Sequence, residues 1–412
     1  MAAKWHETDL GNVVTLQRGF DLPIQERSEG YVPIVSSSGV TGTHSKSMVS
    51  APGVITGRYG TIGEVFYLER DFWPLNTTLF VKDFKGNDPR FVYYLLKTLD
   101  FQSCSDKSSV PGVNRNHLHR LRVSVPALIA EQRAIAHILA TLDDKIESNR
   151  RMNQTLEEIA LATFKSWFVD FDPVRAKAEG RQPSVMDADT AALFPDSFDD
   201  SPIGKIPKGW IVGPILDRAK LLSGGTPKTQ REDYWNGTVL WASAKDISQC
   251  RDTFLLHTER SITERGLAES ATQVIAQFCT VVVARGATTG RMVLLGRDMA
   301  MNQTCYALAS TSKTPFWLYC MLRDEIENLV HAAHGSVFDT ITTSTFESSQ
   351  VILPPQPVLN AFEAEVGPLF RCLLANTMQT SNLAAIRDAL LPKLISGALS
   401  VKAVENTVGA RR

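Results

Sequence analysis

Residues 54–63 spell VITGRYGTIG and residues 281–290 spell VVVARGATTG, so a β-branched run, an arginine and paired glycines recur 227 positions apart. This repeat constrains the fold more than any single motif. A unit of ~200 residues far exceeds the ~20–50-residue period of solenoid arrays and must be a domain in its own right. The flanks align at nearly the same offset. Arg70 and Asp71 match Arg297 and Asp298; after a one-residue slip, Asn76 and Thr78 match Asn302 and Thr304. Asp88-Pro89 and Thr314-Pro315 each set a capping residue and a proline at the start of a helical pattern. Ser109 and Val110 match Ser336 and Val337, and RVSVP (122–126) matches VILP (351–354), apolar alternation stopped by proline as at a strand end. Upstream, Leu10, Leu16 and Gly19 match Leu216, Leu222 and Gly225 at an offset of 206, so the second copy carries about twenty extra residues before Arg285.

Behind each proline runs a long helical pattern. Leu139, Leu142, Ile146, Asn149, Asn153 and Leu156 follow alternating three- and four-residue steps, the seam of a coiled coil. Adding 227 gives Val366, Leu369, Leu373, Asn376, Thr380 and Leu383, with polar residues at the same two seam positions. Buried polar seam residues lower stability but fix register, because few alignments let them satisfy each other. Two such helices on one chain pair most simply with each other, and the forty or so residues between them allow an antiparallel arrangement. The pattern therefore predicts two globular units, each followed by a long helix, with an internal pseudo-two-fold axis. A helix over 128–168 would be roughly 60 Å long at ~1.5 Å per residue, which would set the units one to two turns of DNA apart at ~34 Å per turn.

Charge is unevenly distributed. The formal net charge is −1, yet residues 169–205 hold eight acids against four bases, so the rest of the chain sums to +3. That segment, rich in proline, glycine and acids, reads as an exposed connection in which Phe171, Leu193, Phe194 and Phe198 are available to pack. No apolar run approaches the ~20 residues needed to cross a bilayer, and the start MAAKWHETDL carries no basic-then-apolar signal. The expectation is a cytoplasmic protein without a membrane partner. The six cysteines (104, 250, 279, 305, 320 and 372) form no CxxC pair and meet no histidine at metal-ligand spacing, so reduced buried thiols and no metal are expected.

Together the duplicated units, the two matching helices, the RxGxxG-like turns, the helix entry ALIAEQRAIAHILATLDDKIESNRRMNQTLEEIA, and SWFVDFDPVRAKAEG followed by FPDSFDDSPIGKIPKGW resemble the specificity subunit of Type I restriction-modification systems. The resemblance implies an α+β fold: a target-recognition domain at 1–127, a coiled-coil helix at 128–168, an acidic linker at 169–205, a second target-recognition domain at 206–356, a second helix at 357–399 and a tail at 400–412. It further implies that each domain recognises half of a split double-stranded DNA site. Two methyltransferase subunits would dock on the helices, with methylation, ATP-driven translocation and cleavage left to these and to restriction subunits.

Enzyme chemistry was sought in the residues themselves. No FxGxG opens an S-adenosylmethionine strand-turn-helix, and no Asp/Asn-Pro-Pro-aromatic motif is present to hold a flipped adenine. SPIGKI around Lys205 lacks the spacing of a phosphate-binding loop, so no nucleotide cofactor is expected. Asp143, Asp144 and Lys145 mimic the end of a nuclease cluster but are expected on a solvent-facing helix surface.

The candidate DNA contacts are Lys46, Arg58, Asn114, Arg115, Asn116 and His117 in the first copy and Lys228, Arg231 and Arg285 in the second. Arginine presents a fork to phosphate or guanine, and asparagine matches an adenine edge. Each has a plainer alternative. Gly57, Gly60 and Gly63 either cradle phosphate or make a tight turn; Arg58 and Arg285 either contact DNA or pair with Asp71 and Asp298. The acid-free run VNRNHLHRLR (113–122) either reads bases or is a solvated loop. In the second copy the matching stretch TITTSTFESS has one charge, Glu347, so recognition there would use different chemistry. A rival reading for the whole chain is a coiled-coil scaffold with two protein-binding heads and no DNA role; a stand-alone enzyme is a further one.

Overall fold

A computed structural model describes residues 5–106, 112–333 and 340–404. The Ser109/Val110 and Ser336/Val337 match lies outside the described residues. The chain divides into two compact units, residues 1–147 with 381–412, and residues 148–380. Each unit combines one head with parts of both long helices.

In the first unit, β-branched and aromatic runs form an antiparallel sheet ordered Thr15–Arg18, Thr78–Asp83, Gly53–Gly57, Val65–Leu68. In a second sheet Val32–Ser36 pairs antiparallel with Gly39–His44 and parallel with Trp73–Pro74. Trp5–Asp9 and Arg122–Pro126 close the head as an antiparallel ribbon and deliver the chain into the helix Ile129–Phe168. The core gathers Leu10, Leu16, Val54, Phe91, Leu95 and Leu118 from the head with Ile135, Leu139, Leu394 and Ile395 from the two long helices.

The second unit repeats the core strands of this plan and adds others. Its first sheet runs Ala219–Ser223, Cys305–Ser310, Thr280–Val283, Met292–Leu295, with Phe254–Leu255 added in parallel at the edge. Its second sheet holds Trp235–Ala242 parallel to Met299–Met301, as Val32–Ser36 lies parallel to Trp73–Pro74. The ribbon Ile211–Pro214 with Gln350–Leu353 closes it and leads into Gln356–Ile395. Both long helices are 40 residues and start 227 positions apart. The extra residues of the second copy form the helices Ala244–Gln249 and Glu264–Ala268 and their short strands, all placed before Thr280.

Strand pairing corrects the sequence alignment at two places. Thr56 pairs with Val65, and Val282, not Val283, pairs with Met292, so the first strand is related at an offset of 226 and its hairpin partner at 227. Arg58 therefore corresponds to Ala284, and Arg285 occupies the place of Tyr59. The turn of the second copy is one residue longer, and sequence identity had absorbed that residue into the strand. Likewise Gly19 corresponds to Gly224, not Gly225. A Cβ on Gly19 would meet the carbonyl oxygens of Pro74 and Leu75 at 2.6 and 2.2 Å, and one on Gly224 those of Met301 and Asn302 at 2.4 and 2.2 Å.

The helix starts also differ. Asp88 caps Pro89–Lys97 by accepting from the Phe91 N–H at 2.9 Å. In the second copy the hydroxyl of Thr314 bonds Ser312 at 2.7 Å instead, and the Phe316 and Trp317 N–H groups donate to the carboxylate of Glu363 at 3.2 Å each. The acidic connection is folded: helices Asp172–Ala178 and Ala188–Ala192 and the hairpin Phe198–Ser201 with Gly204–Pro207. Phe171 and Phe194 are buried among Trp167, Phe168 and Trp210, each such side chain contributing at most roughly 3 kcal/mol of apolar burial. Lys177 Nζ donates to the carbonyls of Ala191 (3.0 Å) and Phe194, tying the two short helices together. Leu193 stays exposed.

Candidate nucleic-acid interface

Two stretches distant in sequence meet in the first head. The strand Gly53–Gly57 ends against Arg58, whose N–H donates to the Thr77 carbonyl at 2.8 Å, as does the Tyr59 N–H at 3.2 Å. The Val113 N–H then donates to the Arg58 carbonyl at 2.9 Å, docking the start of the basic run on the turn. Gly112 lets the Tyr59 ring approach closely: a Cβ would lie 2.3 Å from it. Together they enclose a cleft of about 320 Å³, open to solvent, whose walls include Arg18, Arg58, Tyr59, Asn114 and Arg115 and, among the described residues, no acidic side chain. The Arg58 guanidinium stacks on the Tyr59 ring, 4.5 Å from its centroid. Arg18 lies 3.5 Å from Asp21, both well exposed; such a pair contributes ~0–1 kcal/mol and leaves Arg18 free to rearrange.

The basic run divides by role. Asn114 caps the short helix Arg115–His119, its side chain accepting from the Asn116 N–H at 2.9 Å. Arg115, Asn116 and His117 are exposed, and of these Arg115 lines the cleft. His119 turns inward. Its Nε2 accepts from the Leu16 N–H at 3.0 Å, and burial, with Arg115 and Lys85 nearby, lowers its pKa, so the ring is neutral and structural. Arg122 pairs with Asp9 at 3.1 Å along the closing ribbon. Lys46 is exposed in the loop after Gly39–His44 and does not line the cleft. Arg18 and Tyr59 were missed by sequence reasoning, although Tyr59 stands inside the repeated GRYG motif and Arg18 directly before Gly19.

In the second head Lys228 is exposed, and its carbonyl accepts from Trp235 Nε1 at 3.3 Å. Arg231 is engaged: its Nε and one terminal nitrogen donate to Asp233 at 2.8 Å each, and it stacks on Tyr234 at 4.7 Å. The Arg231 fork holds the Asp233 carboxyl at about 2, and Asp233 raises the Arg231 pKa in turn. Arg231 is thus tied into its own loop. Arg285 is exposed on the turn. Neither arginine of the repeat pairs with the aspartates suggested by sequence. Asp71 accepts from the Ala51 N–H at 2.9 Å and Asp298 from the Gln277 N–H at 2.8 Å, the same loop-closing role in both heads. Gly60 and Gly63, like Gly286 and Gly290, have φ of +81°, +90°, +101° and +88°, the left-handed backbone of a hairpin turn. A larger polar cavity of about 720 Å³ in this unit is lined by Arg251, Arg291 and Arg323 but also by Glu157 and Asp252, so its charge is mixed.

The helix seam is resolved residue by residue. Asn376 Nδ2 donates to Asn153 Oδ1 at 3.0 Å, and Asn153 Nδ2 to Thr377 Oγ1 at 3.0 Å. Asn149 Nδ2 donates to Gln379 Oε1 at 2.8 Å and lies 3.4 Å from Thr380 Oγ1. Since Asn376 and Thr380 are the 227-shifted counterparts of Asn149 and Asn153, the two pairs are each other's image and the helices run antiparallel. Ile146, Val366 and Leu373 are buried along the seam, while Leu142, Leu156, Leu369 and Leu383 are half-buried. Asp143 is not on a solvent face: Tyr94 donates to its Oδ2 and Arg387 to its Oδ1, both at 2.7 Å. Among the described residues no group of histidines, cysteines and acids could hold a metal, and no helix is long and apolar enough to cross a membrane.

The sequence matches a family model described as the Type I restriction modification DNA specificity domain twice, over residues 3–158 and 207–358. It is 29% identical over 332 residues to the Type I restriction enzyme MjaIX specificity subunit of Methanocaldococcus jannaschii, covering 76% of this chain and 69% of that protein. The Type I restriction enzyme HindI specificity subunit of Haemophilus influenzae is 26% identical over 359 residues, covering 75% and 77%. The crystal structure of a Type I restriction-modification S subunit from M. genitalium has the same fold, with a TM-score of 0.64 over 95% of this chain and 96% of that one at 15% identity.

Proposed function

The chain belongs to the Type I restriction modification DNA specificity family, and on that premise we propose that each head reads one half of a split, asymmetric site on double-stranded DNA while the paired helices dock methyltransferase subunits. The observation that carries this is the duplication itself: two heads with corresponding core strands, each leading into a 40-residue helix, with different side chains at corresponding places. One fold presented twice with different surfaces suits a site whose halves differ in sequence. Methylation, ATP hydrolysis and cleavage belong to the partner subunits, two of them methyltransferases to match the two helices.

The heads contribute little non-specific affinity, because residues 1–127 balance to +2 and residues 206–356 to 0, and affinity for duplexes follows the number of phosphates neutralised. Partner subunits supply the remaining positive surface. Reconstitution with the methyltransferase subunits of the same system, followed by a gel shift on a random duplex pool, tests the reading. Selection of a two-part site is expected, with weak binding by the isolated chain at physiological salt. A complex that forms but retains no duplex would show a protein-binding scaffold instead.

A further inference from the structure

The two heads share a core plan, but among the described residues the three cleft arginines of the first have no arginine counterparts in the second. Strand register gives the correspondence. Arg18 pairs with Leu79 as Ser223 pairs with Tyr306. The Val113 N–H donates to the Arg58 carbonyl, and the Ile341 N–H donates to the Ala284 carbonyl, both at 2.9 Å. Asn114 and Thr342 then each cap the following short helix. Arg18, Arg58 and Arg115 are therefore replaced in the second head by Ser223, Ala284 and Thr343.

We propose that the Arg18–Arg58–Arg115 cleft is a DNA contact of the first head, taking a paired acceptor group, either the N7/O6 edge of a guanine or a phosphodiester. This rests on the DNA-reading function proposed above. Three guanidinium groups line one cleft with no acid among them, and among the described residues neither Arg58 nor Arg115 is in an ion pair. Arg18 has the exposed Asp21 at 3.5 Å, whereas Arg58 and Arg115 keep their charge for an acceptor that enters the cleft, and the planar fork of arginine suits one that offers two oxygens, or a nitrogen and an oxygen, side by side. Tyr59 stacks on Arg58, and both side chains line the cleft. In the second head the same place offers hydroxyls and a methyl group, so its half-site is read without this contact.

The test uses the full chain assembled with its methyltransferase subunits. Arg58→Ala, Arg115→Ala and Arg58→Lys variants, checked by thermal melting for an intact fold, are offered a random duplex pool, and the bound sites are sequenced at several salt concentrations. If the group is guanine, either alanine variant relaxes one guanine position of a single half-site by roughly 10–100-fold, and lysine does not restore it. If it is a phosphate, both alanine variants bind all sequences more weakly with a salt slope reduced by about one, and Arg58→Lys recovers most of the loss. Both outcomes support the cleft. Variants with unchanged site, affinity and salt slope, or with changes in both half-sites, overturn it. A wild-type complex that selects no split site would instead sink the DNA-reading function, which separates the two failures.

Discussion

Asn153 and Asn376 show how much one side chain can decide. Asn376 Nδ2 donates to Asn153 Oδ1 across the helix seam, and Asn153 Nδ2 donates on to Thr377 Oγ1, so replacing Asn153 alone with leucine removes the acceptor of the half-buried Asn376 amide. A loss of about 1–2 kcal/mol is expected, while the Asn153→Leu/Asn376→Leu pair should recover most of it; urea melts of the two variants decide this. The sequence showed polar residues in the seam but not that single and paired replacement would differ, because the partner is known only once the register is. Glu363 makes a second residue-scale case. Burial raises its pKa to about 7, against the lowering effect of the Trp317 and Phe316 N–H bonds and of Arg371. Its folded pKa lies above the unfolded value, so its stabilising contribution is complete below pH ~4.5 and is lost as pH rises through ~7. Melting temperature should fall over that window by an amount equivalent to roughly 3 kcal/mol at most. Glu363→Gln, which mimics the neutral acid, should remove that component; an unchanged pH profile in the variant would contradict it.

Elements were legible where periodicity and capping speak locally. The two long helices, the helix at Pro89 and the ribbon strands before each long helix lie where apolar spacing and proline indicate. What sequence could not supply was pairing. The Arg58–Arg285 match looked closest of all, yet hydrogen-bond register relates Arg58 to Ala284, because a one-residue change in turn length is invisible until the strands are paired. The acidic connection read as exposed from its composition, but its few aromatics are enough to fold it onto Trp167 and Trp210. The seam allows an element-scale prediction. Sites after Asn149 and after Asn376 fall between the same two polar pairs, so a heptad inserted at both keeps the register and adds about 10 Å at ~1.5 Å per residue. The gap in the recognised site should grow by roughly three base pairs at ~3.4 Å each, with the half-sites unchanged. Full-rate methylation of the original spacing would contradict a spacing role for the helices.

For the whole molecule, duplication does in one chain what a symmetric dimer cannot: it keeps one fold and lets two surfaces diverge. The arginines of the first head's cleft, and Ser223, Ala284 and Thr343 at the corresponding places of the second, are the visible product of that divergence. The duplicated architecture could be read from sequence, and so could the family; the cleft could not, since Arg18, Arg58 and Arg115 are brought together only by folding. The most direct measurement is to exchange residues 1–127 for the corresponding head of another specificity subunit, assemble the hybrid with its methyltransferases, and map the methylated sites by sequencing. One half-site should change, while the other half-site and the gap stay as they were. A hybrid that alters both half-sites, or neither, would contradict the assignment of one head to each half.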